Sequence, residues 1–560
     1  GSFASFAAAD QRARDLTYHP EQQFTSDVLF QTPPDPMTAE AAATEGAPLE
    51  SVPLGAFRPQ GVGRLYVLGG CAGVTRQQAA ALLRPLALLD AGARLGAAAA
   101  AEAAQLPAAK NASLPGAPVA SPSAAGDVRE SLVGVRPVQS LPTVPQQARP
   151  LPVLGRYDVV VIGGGTAGAP AGIAAARQGA KTLVVEYLSQ LGGVGTAGAI
   201  SSYYWGNRVG FVKEVIGGAN GWVIEQKAQW YRENLLGAGA DVWFGGVGCG
   251  ALVDGSHVVG AVVATPEGRG VVLAKVVIDA TGNADLAAPA GAPCVYTGEA
   301  ELAMQGTGLP PRQLGASYTN TDFTIADETD MVDVWQLFVR AKDRYPGAFD
   351  QGQLIDTRER RRIVGDFTIS LLDEVNGRTY PDSIVKARSN YDTHGYTVDP
   401  YLMLEHPMLK GIDAYVPYRC LLPKGLEGML VAGIGMSVHR DALPVVRMQP
   451  DIQNQGYAAG AAAAMAAKEG IVPRRLDVRK LQRHLVEVGN LPESVLADGD
   501  SYPISREKIA AAVRSFAGEE PTGAAVLLAQ REESLPLIRE AHRTAEAAAK
   551  LAYAKLLGIM

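Results

Sequence analysis

The clearest pattern of apolar and polar positions lies between residues 157 and 186. The run DVVVI (158–162) is rich in β-branched residues, as in a strand that is buried on both faces. The small-residue stretch AGAPAGIAAARQG (167–179) predicts a helix, and KTLVVE (181–186) predicts a second strand. The pattern therefore predicts a strand, a turn, a helix and a second strand in succession.

The turn in this unit carries glycines at a spacing that is typical of nucleotide binding. Gly163, Gly165 and Gly168 form G-x-G-x-x-G, which allows a tight turn, close approach to a pyrophosphate, and close packing of helix on strand. The following helix would point its first N–H groups at the phosphates. Glu186 lies where an acid can bind a ribose hydroxyl. By itself the unit does not choose between NAD and FAD.

Further glycine-rich pieces follow at long distances. LSQLGGVGTAG (188–198) comes directly after the acid, and the strand VVIDATG ends at Gly282. Residues 428–467 then predict a strand, a glycine loop and a small-residue helix from about Gln455. A site assembled from such distant pieces suits a long, extended cofactor.

Five motifs together resemble those of a known family. They are GGGTAG, LGGVGT, IDATGNAD, VPYRCLLPKG and HRDALPVVRMQPDIQNQGYAAG, within residues 157–490. The chain is similar to FAD-dependent oxidoreductases of the two-dinucleotide-binding-domain, or glutathione-reductase-like, flavoprotein superfamily. The resemblance implies an α/β fold: a Rossmann-like FAD-binding domain in three layers (ββα), an inserted α+β substrate domain and a C-terminal helical segment.

The resemblance also implies the domain bounds and a non-covalently held FAD. The FAD-binding domain would comprise 157–297 and 411–475, with the substrate or cap domain at 298–410 and a helical tail at 476–560. The implied cofactor contacts are Gly163, Gly165, Thr166, Ala167 and Gly168 on the pyrophosphate, Glu186 on the ribose, Gly192 and Gly193 on the flavin side, Val247 on the adenine, Ala280, Thr281 and Gly282 over the cofactor, Gly433 on the ribityl chain, and Gln455 and Gly456 at a helix start aimed at the ring.

Two departures from the wider superfamily limit what the resemblance implies about cofactor contacts and the class of enzyme. Many members carry Gly-Asp after the last strand, whereas this sequence has AGIG (432–435), which puts the usual ribityl contact in doubt. The chain also lacks a second complete strand–GxGxxG–helix unit. We therefore do not expect a disulfide reductase with its own NAD(P)H domain.

The inserted region offers two candidate groups for chemistry. Arg361 lies in the arginine-rich stretch DTRERRRIV (356–364), where alternate side chains of an extended segment share a face; it could bind an anionic substrate, or the stretch could be a solvated charge run. Asp392 and His394 are two residues apart, so Asp392 could orient His394 as a general base. The alternative for His394 is a surface turn.

Other candidates flank the last FAD strand. Arg419 is expected close to the flavin, and His439 and Arg447 follow in the loop before the closing helix. Histidine near the flavin is a plausible base and arginine can hold a carboxylate or hydroxyl, although His439 could simply pack the loop. Tyr204, within Tyr-Tyr-Trp after the LGG loop, could stack on a substrate or belong to the core.

The 156 residues ahead of the nucleotide unit contain a second copy of its closing element. Residues 52–100 align with 416–464 without a gap and share spaced Val, Gly and Pro positions, including Pro59 with Pro423 and Gly92 with Gly456. The copy lacks the equivalents of Arg419, His439 and Gln455. We interpret residues 1–100 as a degenerate repeat with a structural or interface role, joined by an Ala/Pro/Ser-rich linker at 101–155. Two similar strand–helix units in an alanine-rich protein are the alternative.

Composition and charge indicate which partners, locations and metal sites are not expected. A net charge of −7 without a long basic block argues against nucleic acid as a partner. The apolar runs are too short to span a membrane, and no signal peptide is recognisable, so we expect a cytoplasmic or exported bacterial protein. Four isolated cysteines without CxxC argue against a structural zinc site, so we expect no metal.

The preferred interpretation is an FAD-dependent oxidoreductase, an oxidase or dehydrogenase, that moves hydride from a small organic substrate to flavin N5. His394 or His439 would act as base, with Arg419 positioning the substrate. The alternatives are a flavin-fold binding or assembly subunit, which would form a homo-oligomer or join a partner subunit through the N-terminal repeat and helical tail, and a flavin monooxygenase that uses NAD(P)H.

Overall fold

The structure is a computed structural model of the 560-residue chain. It describes residue 12 and residues 36–107, 124–130, 141–297, 309–318, 330–347, 361–393, 397–405, 411–518 and 523–560. The chain divides into two compact units, residues 1–114 with 144–147 and residues 115–143 with 148–560. Within these described ranges, no helix is both long enough and apolar enough to cross a membrane.

Between residues 36 and 107, the N-terminal unit contains the helices α1 (Arg76–Ala81) and α2 (Pro85–Ala103). Thr75 caps α1: its side chain accepts the Gln78 N–H, and the Gln78 side chain accepts the Thr75 N–H. Pro85 suits the first turn of α2, where a backbone N–H has no partner within the helix. A small core fills the unit and consists of Val52, Ala56, Phe57, Ala72, Val74, Ala79, Leu82, Ala91 and Leu95.

The second unit is built on one large sheet and two small ones. Its strands are β1 (Asp127–Glu130), β2 (Val153–Ile162), β3 (Thr182–Glu186), β4 (Asp241–Phe244), β5 (Val247–Asp254), β6 (His257–Thr265), β7 (Gly268–Asp279), β8 (Cys294–Tyr296), β9 (Arg361–Ile363), β10 (Ser383–Ser389), β11 (Ile412–Pro417) and β12 (Met429–Val431). The order across the large sheet is β1-β5-β6-β7-β2-β3-β4, and β12 also pairs with β7.

The large sheet has a parallel part and an antiparallel part. Strands β12, β7, β2, β3 and β4 pair in parallel, whereas β1, β5 and β6 join the edge of β7 in antiparallel pairs. The small sheets pair β8 with β9 and β10 with β11.

Strand β2 is buried on both faces, as its apolar run predicts. Val159 and Val161 belong to a core shared with the helices, and Val160 and Ile162 belong to a core shared with β5 and β6. Successive side chains of a strand point to opposite faces, so one strand serves both cores. The resulting three layers confirm the predicted Rossmann-like ββα fold.

The helices of the second unit pack on both sides of the sheet and form the C-terminal tail. They are α3 (Gly168–Arg177), α4 (Ile224–Gly237), α5 (Ala287–Ala290), α6 (Met331–Arg344), α7 (Leu371–Val375), α8 (Leu443–Val446), α9 (Gln449–Glu469), α10 (Val478–Glu487), α11 (Arg506–Phe516), α12 (Ala524–Ala529), α13 (Arg531–Thr544) and α14 (Ala547–Ile559). Helices α3 and α9 share the core of one face of the sheet, and α5 shares the core of the other. Ser505 caps α11: its side chain accepts the Lys508 N–H.

Helix α9 packs against α3 at very short range. A Cβ atom on Gly456 would lie 2.0 Å from the Ala167 carbonyl oxygen, and one on Gly460 would lie 2.0 Å from that of Ala171. Only glycine fits at both positions, and the contact fixes the helix that follows the phosphate turn.

Two boundaries predicted from the sequence are wrong. The closing helix α9 begins at Gln449 rather than near Gln455, because extended Met448 and Pro450 define the first turn ahead of the small residues. The proposed linker at 101–155 is not wholly extended chain: its residues 127–130 form β1 and pair with β5, and β2 already begins at Val153.

The two copies predicted from the sequence share a backbone course. One-turn 3₁₀ helices occupy Leu54–Phe57 and Tyr418–Leu421, and the long helices α2 and α9 follow at equivalent places. Both long helices carry a proline in their first turn. The duplication stays a prediction, with this correspondence in its favour.

The two copies also share a backbone hydrogen bond, but only the second copy contributes a strand to a sheet. The Gly73 N–H donates to the Ala56 carbonyl at 2.7 Å, and the equivalent Ser437 N–H donates to the Cys420 carbonyl at 2.9 Å. Residues 65–67 stand where β12 stands in the second copy, yet they belong to no strand. The N-terminal copy therefore resembles a closing element without the sheet that it would close.

Candidate active site

A cavity of about 760 Å³ lies in the second unit, where several distant stretches of the chain meet. Its lining residues fall within 162–167, 185–205, 246–248, 280–285 and 433–452, joined by Ala219 and Asp392. The sequence predicted that these distant stretches would share one site. They do so because the carboxyl ends of parallel strands meet at one edge of a sheet.

The first glycine turn forms one wall of this cavity. Gly163 has φ +92°, and a Cβ on Gly168 would lie 1.7 Å from the Gly163 carbonyl oxygen. At Gly165 the nearest atom to an added Cβ is Gly193 Cα at 3.8 Å. The first and third glycines are therefore required by the turn itself, whereas Gly165 leaves the backbone open to a ligand in the cavity.

The second glycine loop lies against the first. The Gly192 N–H donates to the Gly164 carbonyl at 2.9 Å, and the Thr166 hydroxyl donates to the Gly192 carbonyl at 3.3 Å. Thr166, Ala167 and Gly193 line the cavity, whereas Gly192 does not. Gly192 thus holds the two loops together, and Gly193 faces the ligand space.

Glu186 lines the cavity from the tip of β3. Its carboxylate accepts the N–H groups of Gly164 at 2.7 Å and Leu188 at 2.8 Å. Burial raises the pKa of Glu186, and these backbone N–H groups act in the opposite direction. Because a carboxylate can accept about four hydrogen bonds, the group retains acceptor positions for the hydroxyls of a ribose.

The opposite wall comes from β5 and from the turn after β7. Val247, Ala280, Thr281 and Gly282 all line the cavity. The Asp279 carboxylate fixes that turn by accepting the hydroxyl and the backbone N–H of Thr281 and the N–H groups at the start of the next segment. The cofactor contacts that the resemblance implies for these four residues stay a prediction.

The closing element contributes Gly433 to the cavity, but Gln455 and Gly456 do not line it. Gln455 Oε1 accepts the Gly433 N–H at 2.6 Å, so Gln455 fixes the closing loop from behind. Gly456 serves the contact between α9 and the residue before α3. The residues of α9 that reach the cavity are Gln449 and Ile452, one to two turns earlier than expected.

Polar side chains from distant segments form another part of the cavity lining. Arg447 and Asp392, 55 residues apart, form an ion pair at 3.3 Å, and Arg447 also donates to the Asp392 carbonyl. Tyr204 is largely exposed, and its hydroxyl accepts from the Asn390 side chain at 2.9 Å. The structure therefore brings three of the predicted substrate and catalytic residues into one cavity.

Three other candidates lie outside the cavity lining. Arg419 pairs with Asp382 at 2.9 Å, away from its expected place beside the flavin. His439 Nδ1 accepts the backbone N–H of Asp441 within its own loop, at 3.3 Å.

Arg361 also has a carboxylate partner and does not line the cavity. It pairs with Asp285 at 2.5 Å, and Asp285 itself lines the cavity, so Arg361 stands one layer behind the wall. His394, Arg358 and Arg360 lie outside the described residues.

Two cavity-side features have no signal in the sequence. Gln449 lines the cavity, and its Oε1 is buried without a hydrogen-bond partner among the described residues. Lys227 on α4 is fully buried behind Tyr203. A lysine in a polar helix gives no sign of burial, and only the packing of α4 under the cavity reveals it.

The donor set fits FAD. The cavity is lined by distant segments of the chain, it has open backbone at a glycine turn for phosphates, and it has a buried carboxylate for ribose hydroxyls. The unpartnered Gln449 Oε1 offers an acceptor for an N–H group of a bound ring. In the part of the chain that the structure describes, no cluster of three or more His, Cys, Asp or Glu residues is placed to hold a metal ion.

Comparison with known proteins gives a family match over this whole region. The model of the family described as FAD dependent oxidoreductase matches residues 158–344 and 331–485, more than half of the chain. No curated protein matches the chain.

Solved structures give distant likenesses. A geranylgeranyl bacteriochlorophyll reductase-like protein from Thermoplasma acidophilum is 16% identical over 70% of this chain and 99% of its own, with a TM-score of 0.33. A flavin-dependent brominase is 13% identical over 69% of this chain and 92% of its own, with a TM-score of 0.30. An anhydrotetracycline hydroxylase from Streptomyces rimosus is 13% identical over 72% of this chain and 76% of its own, with a TM-score of 0.30.

Proposed function

This chain belongs to the FAD-dependent oxidoreductase family, and we propose that it oxidises a small organic substrate held beside the flavin by Arg447 and Tyr204. The observation that carries the proposal is the single cavity that joins the phosphate turns to the Arg447–Asp392 pair. When bound, FAD supplies the two-electron acceptor that no side chain can provide.

Arg447 is the proposed substrate ligand. Its guanidinium is fixed by Asp392 and is largely buried, so its charge acts in a poorly solvated space. A carboxylate or hydroxyl on the substrate would accept from it. This favours substrates with an oxygen function next to the bond that is oxidised.

The proton released from the substrate needs an acceptor. Asp392 is the cavity-lining carboxylate that pairs with Arg447. His394, two residues further along the sequence, is the proposed general base. Arg447 contacts both the carboxylate and the backbone carbonyl of Asp392, so we propose that Asp392 positions Arg447. His439 and Arg419 stand outside the lining and are not proposed to touch the substrate.

The test is anaerobic bleaching of the purified, FAD-loaded protein with sugars, amines and hydroxy acids. We expect loss of the yellow flavin absorbance with one substrate class and recovery with oxygen or another acceptor. Arg447→Met should raise KM about 10- to 100-fold, the value of one hydrogen bond to a charged group. Arg269→Met is the matched control, because Arg269 pairs with Glu130 away from the cavity.

Protein that is colourless and takes up no added FAD would contradict the proposal. FAD-loaded protein that ignores every substrate but consumes NAD(P)H with oxygen would identify a monooxygenase instead.

We propose assembly with a second copy of this chain as an additional role of the N-terminal unit. Leu65 and Leu68 are each 46% exposed, whereas the equivalent Met429 and Ala432 of the second copy are 1% and 0% exposed. Leu86 and Leu89 on α2 are also exposed. A segment outside any strand that exposes leucines, next to a helix that also exposes leucines, favours contact with its own equivalent in another chain.

Light scattering of the full chain tests this role. We expect a dimer that dissociates when Leu65 and Leu89 are both changed to Lys. Met403→Lys, at an exposed position of the second unit, should leave the dimer intact. A monomeric wild-type protein would contradict the assembly role.

A further inference from the structure

Lys227 is an amine without a counter-charge in the interior of the second unit. It is 0% exposed. Its Nζ donates to the Tyr203 hydroxyl at 3.1 Å and lies 3.5 Å from the centroid of the Trp222 ring. No carboxylate pairs with it among the residues that the structure describes.

The amine stands one layer behind the cavity wall. Tyr203 and Gln449 both line the cavity. A Cβ atom on Gly195 would lie 2.5 Å from Gln449 Oε1 and 3.5 Å from Lys227 Nζ. The amine and the unpartnered amide oxygen therefore approach the same point, next to the second glycine loop that the resemblance assigns to the flavin side.

The groups around the amine leave its charge uncompensated. The Tyr203 hydroxyl donates to Gln453 Oε1 at 2.9 Å, and Tyr231 is a second buried phenol nearby. Arg208, another cation, lies 5.4 Å from the centroid of the same Tyr203 ring. Burial without a carboxylate holds the pKa of Lys227 well below its usual range.

We propose that Lys227 binds one proton from solvent when the flavin in the cavity is reduced, and thereby neutralises the charge of the reduced ring; this inference rests on the proposed function. Two electrons and one proton taken from the substrate leave the bound flavin with one negative charge. The lone pair of the Lys227 amine forms a new N–H bond with the solvent proton, so the cavity and its wall gain no net charge.

Physical chemistry favours this coupling. A new anion in a poorly solvated cavity raises the free energy unless a cation appears nearby. An ammonium at Lys227 would also be attracted by the faces of Trp222 and Tyr203. A permanently charged residue could not take up a proton when the flavin is reduced. Its uncompensated charge would also destabilise the oxidised state.

The experiment measures the flavin midpoint potential of the FAD-loaded full chain as a function of pH, in mildly alkaline buffer. At this pH, a flavin that takes up two electrons and one proton has a midpoint potential that falls with pH at a shallow slope. Uptake of a second proton on reduction doubles that slope. We expect the doubled slope in the wild-type protein and the shallow slope in Lys227→Met. Lys213→Met is the matched control, since Lys213 is exposed, and it should keep the doubled slope.

A wild-type protein with the shallow slope would overturn the inference without any variant. If Lys227→Met loses FAD, Lys227→Arg provides the second test, because arginine stays charged and should also give the shallow slope. Equal slopes in wild type and variants would likewise overturn it. A protein that binds no FAD fails the proposed function instead, so the two failures are distinguishable.

Discussion

At the scale of single residues, the site was predictable where the backbone needs a particular residue. Gly163 and Gly168 carry a local steric signal, and the structure shows the clash that any side chain would cause at Gly168. The pairing of Asp392 with Arg447 and the burial of Lys227 depend on contacts between distant segments. No local pattern in the sequence indicates that Asp392 and Arg447 form a pair or that Lys227 is buried.

Gly168→Ala tests the phosphate turn. The added methyl group would lie 1.7 Å from the Gly163 carbonyl oxygen, so we expect the turn to shift and FAD binding to fall at least tenfold. Gly237→Ala is the control, because a Cβ there meets nothing within 4 Å. The measurement is FAD affinity by fluorescence titration; unchanged affinity in Gly168→Ala would contradict the assigned turn.

Asp451 in the first turn of α9 predicts a dependence of stability on pH. Burial raises its pKa to about 8 from 3.8, although the carboxylate accepts the N–H groups of Asn207 and Arg388. The folded state thus holds a proton that the unfolded state releases, so the contribution to stability is present below about pH 4 and is lost as the pH rises through about 8. The slope would reach about 1.4 kcal/mol per pH unit.

Urea unfolding of wild type and Asp451→Asn across this range checks that prediction. The asparagine keeps an acceptor oxygen for only one of the two N–H groups and does not titrate, so its stability should be lower overall and its curve flatter between pH 4 and 8. Parallel curves would show that Asp451 is ionised throughout.

At the scale of elements, the strands and the phosphate helix followed from period and small residues, but the start of α9 did not. The alanine-rich stretch suggested a later start, whereas Met448 and Pro450 set the first turn at Gln449. This difference of six residues moves the cavity-facing residues from Gln455 to Gln449 and Ile452. Helix termini depend on the first turn and its caps, which a run of small residues obscures.

The paired glycines of the two copies provide a matched experiment. Gly460→Val would place atoms against the Ala171 carbonyl oxygen, so we expect a loss of about 3 kcal/mol in unfolding free energy and weaker FAD binding. The equivalent Gly96→Val meets nothing within 4 Å and should change either quantity little. Urea unfolding and FAD titration measure both; equal effects would contradict the view that only α9 closes a nucleotide site.

At the scale of the whole molecule, the cavity residues named here belong to the second unit. Removing residues 1–114 should therefore leave FAD affinity unchanged and abolish the proposed dimer. The sequence predicted the two copies from their shared prolines and glycines, but whether a copy binds a cofactor depends on the strand–helix unit beside it. Loss of FAD on truncation would show that the N-terminal unit contributes to the site.

The most direct measurement is the FAD stoichiometry of the purified full chain after saturation with FAD and removal of the excess. The family membership, the cavity in the second unit and the degenerate repeat that we interpret in residues 1–100 together predict one FAD per chain, released without breaking a covalent bond. A stoichiometry of zero in the folded chain would contradict the assigned cavity. A stoichiometry of two would contradict the conclusion that the N-terminal copy has lost its nucleotide site.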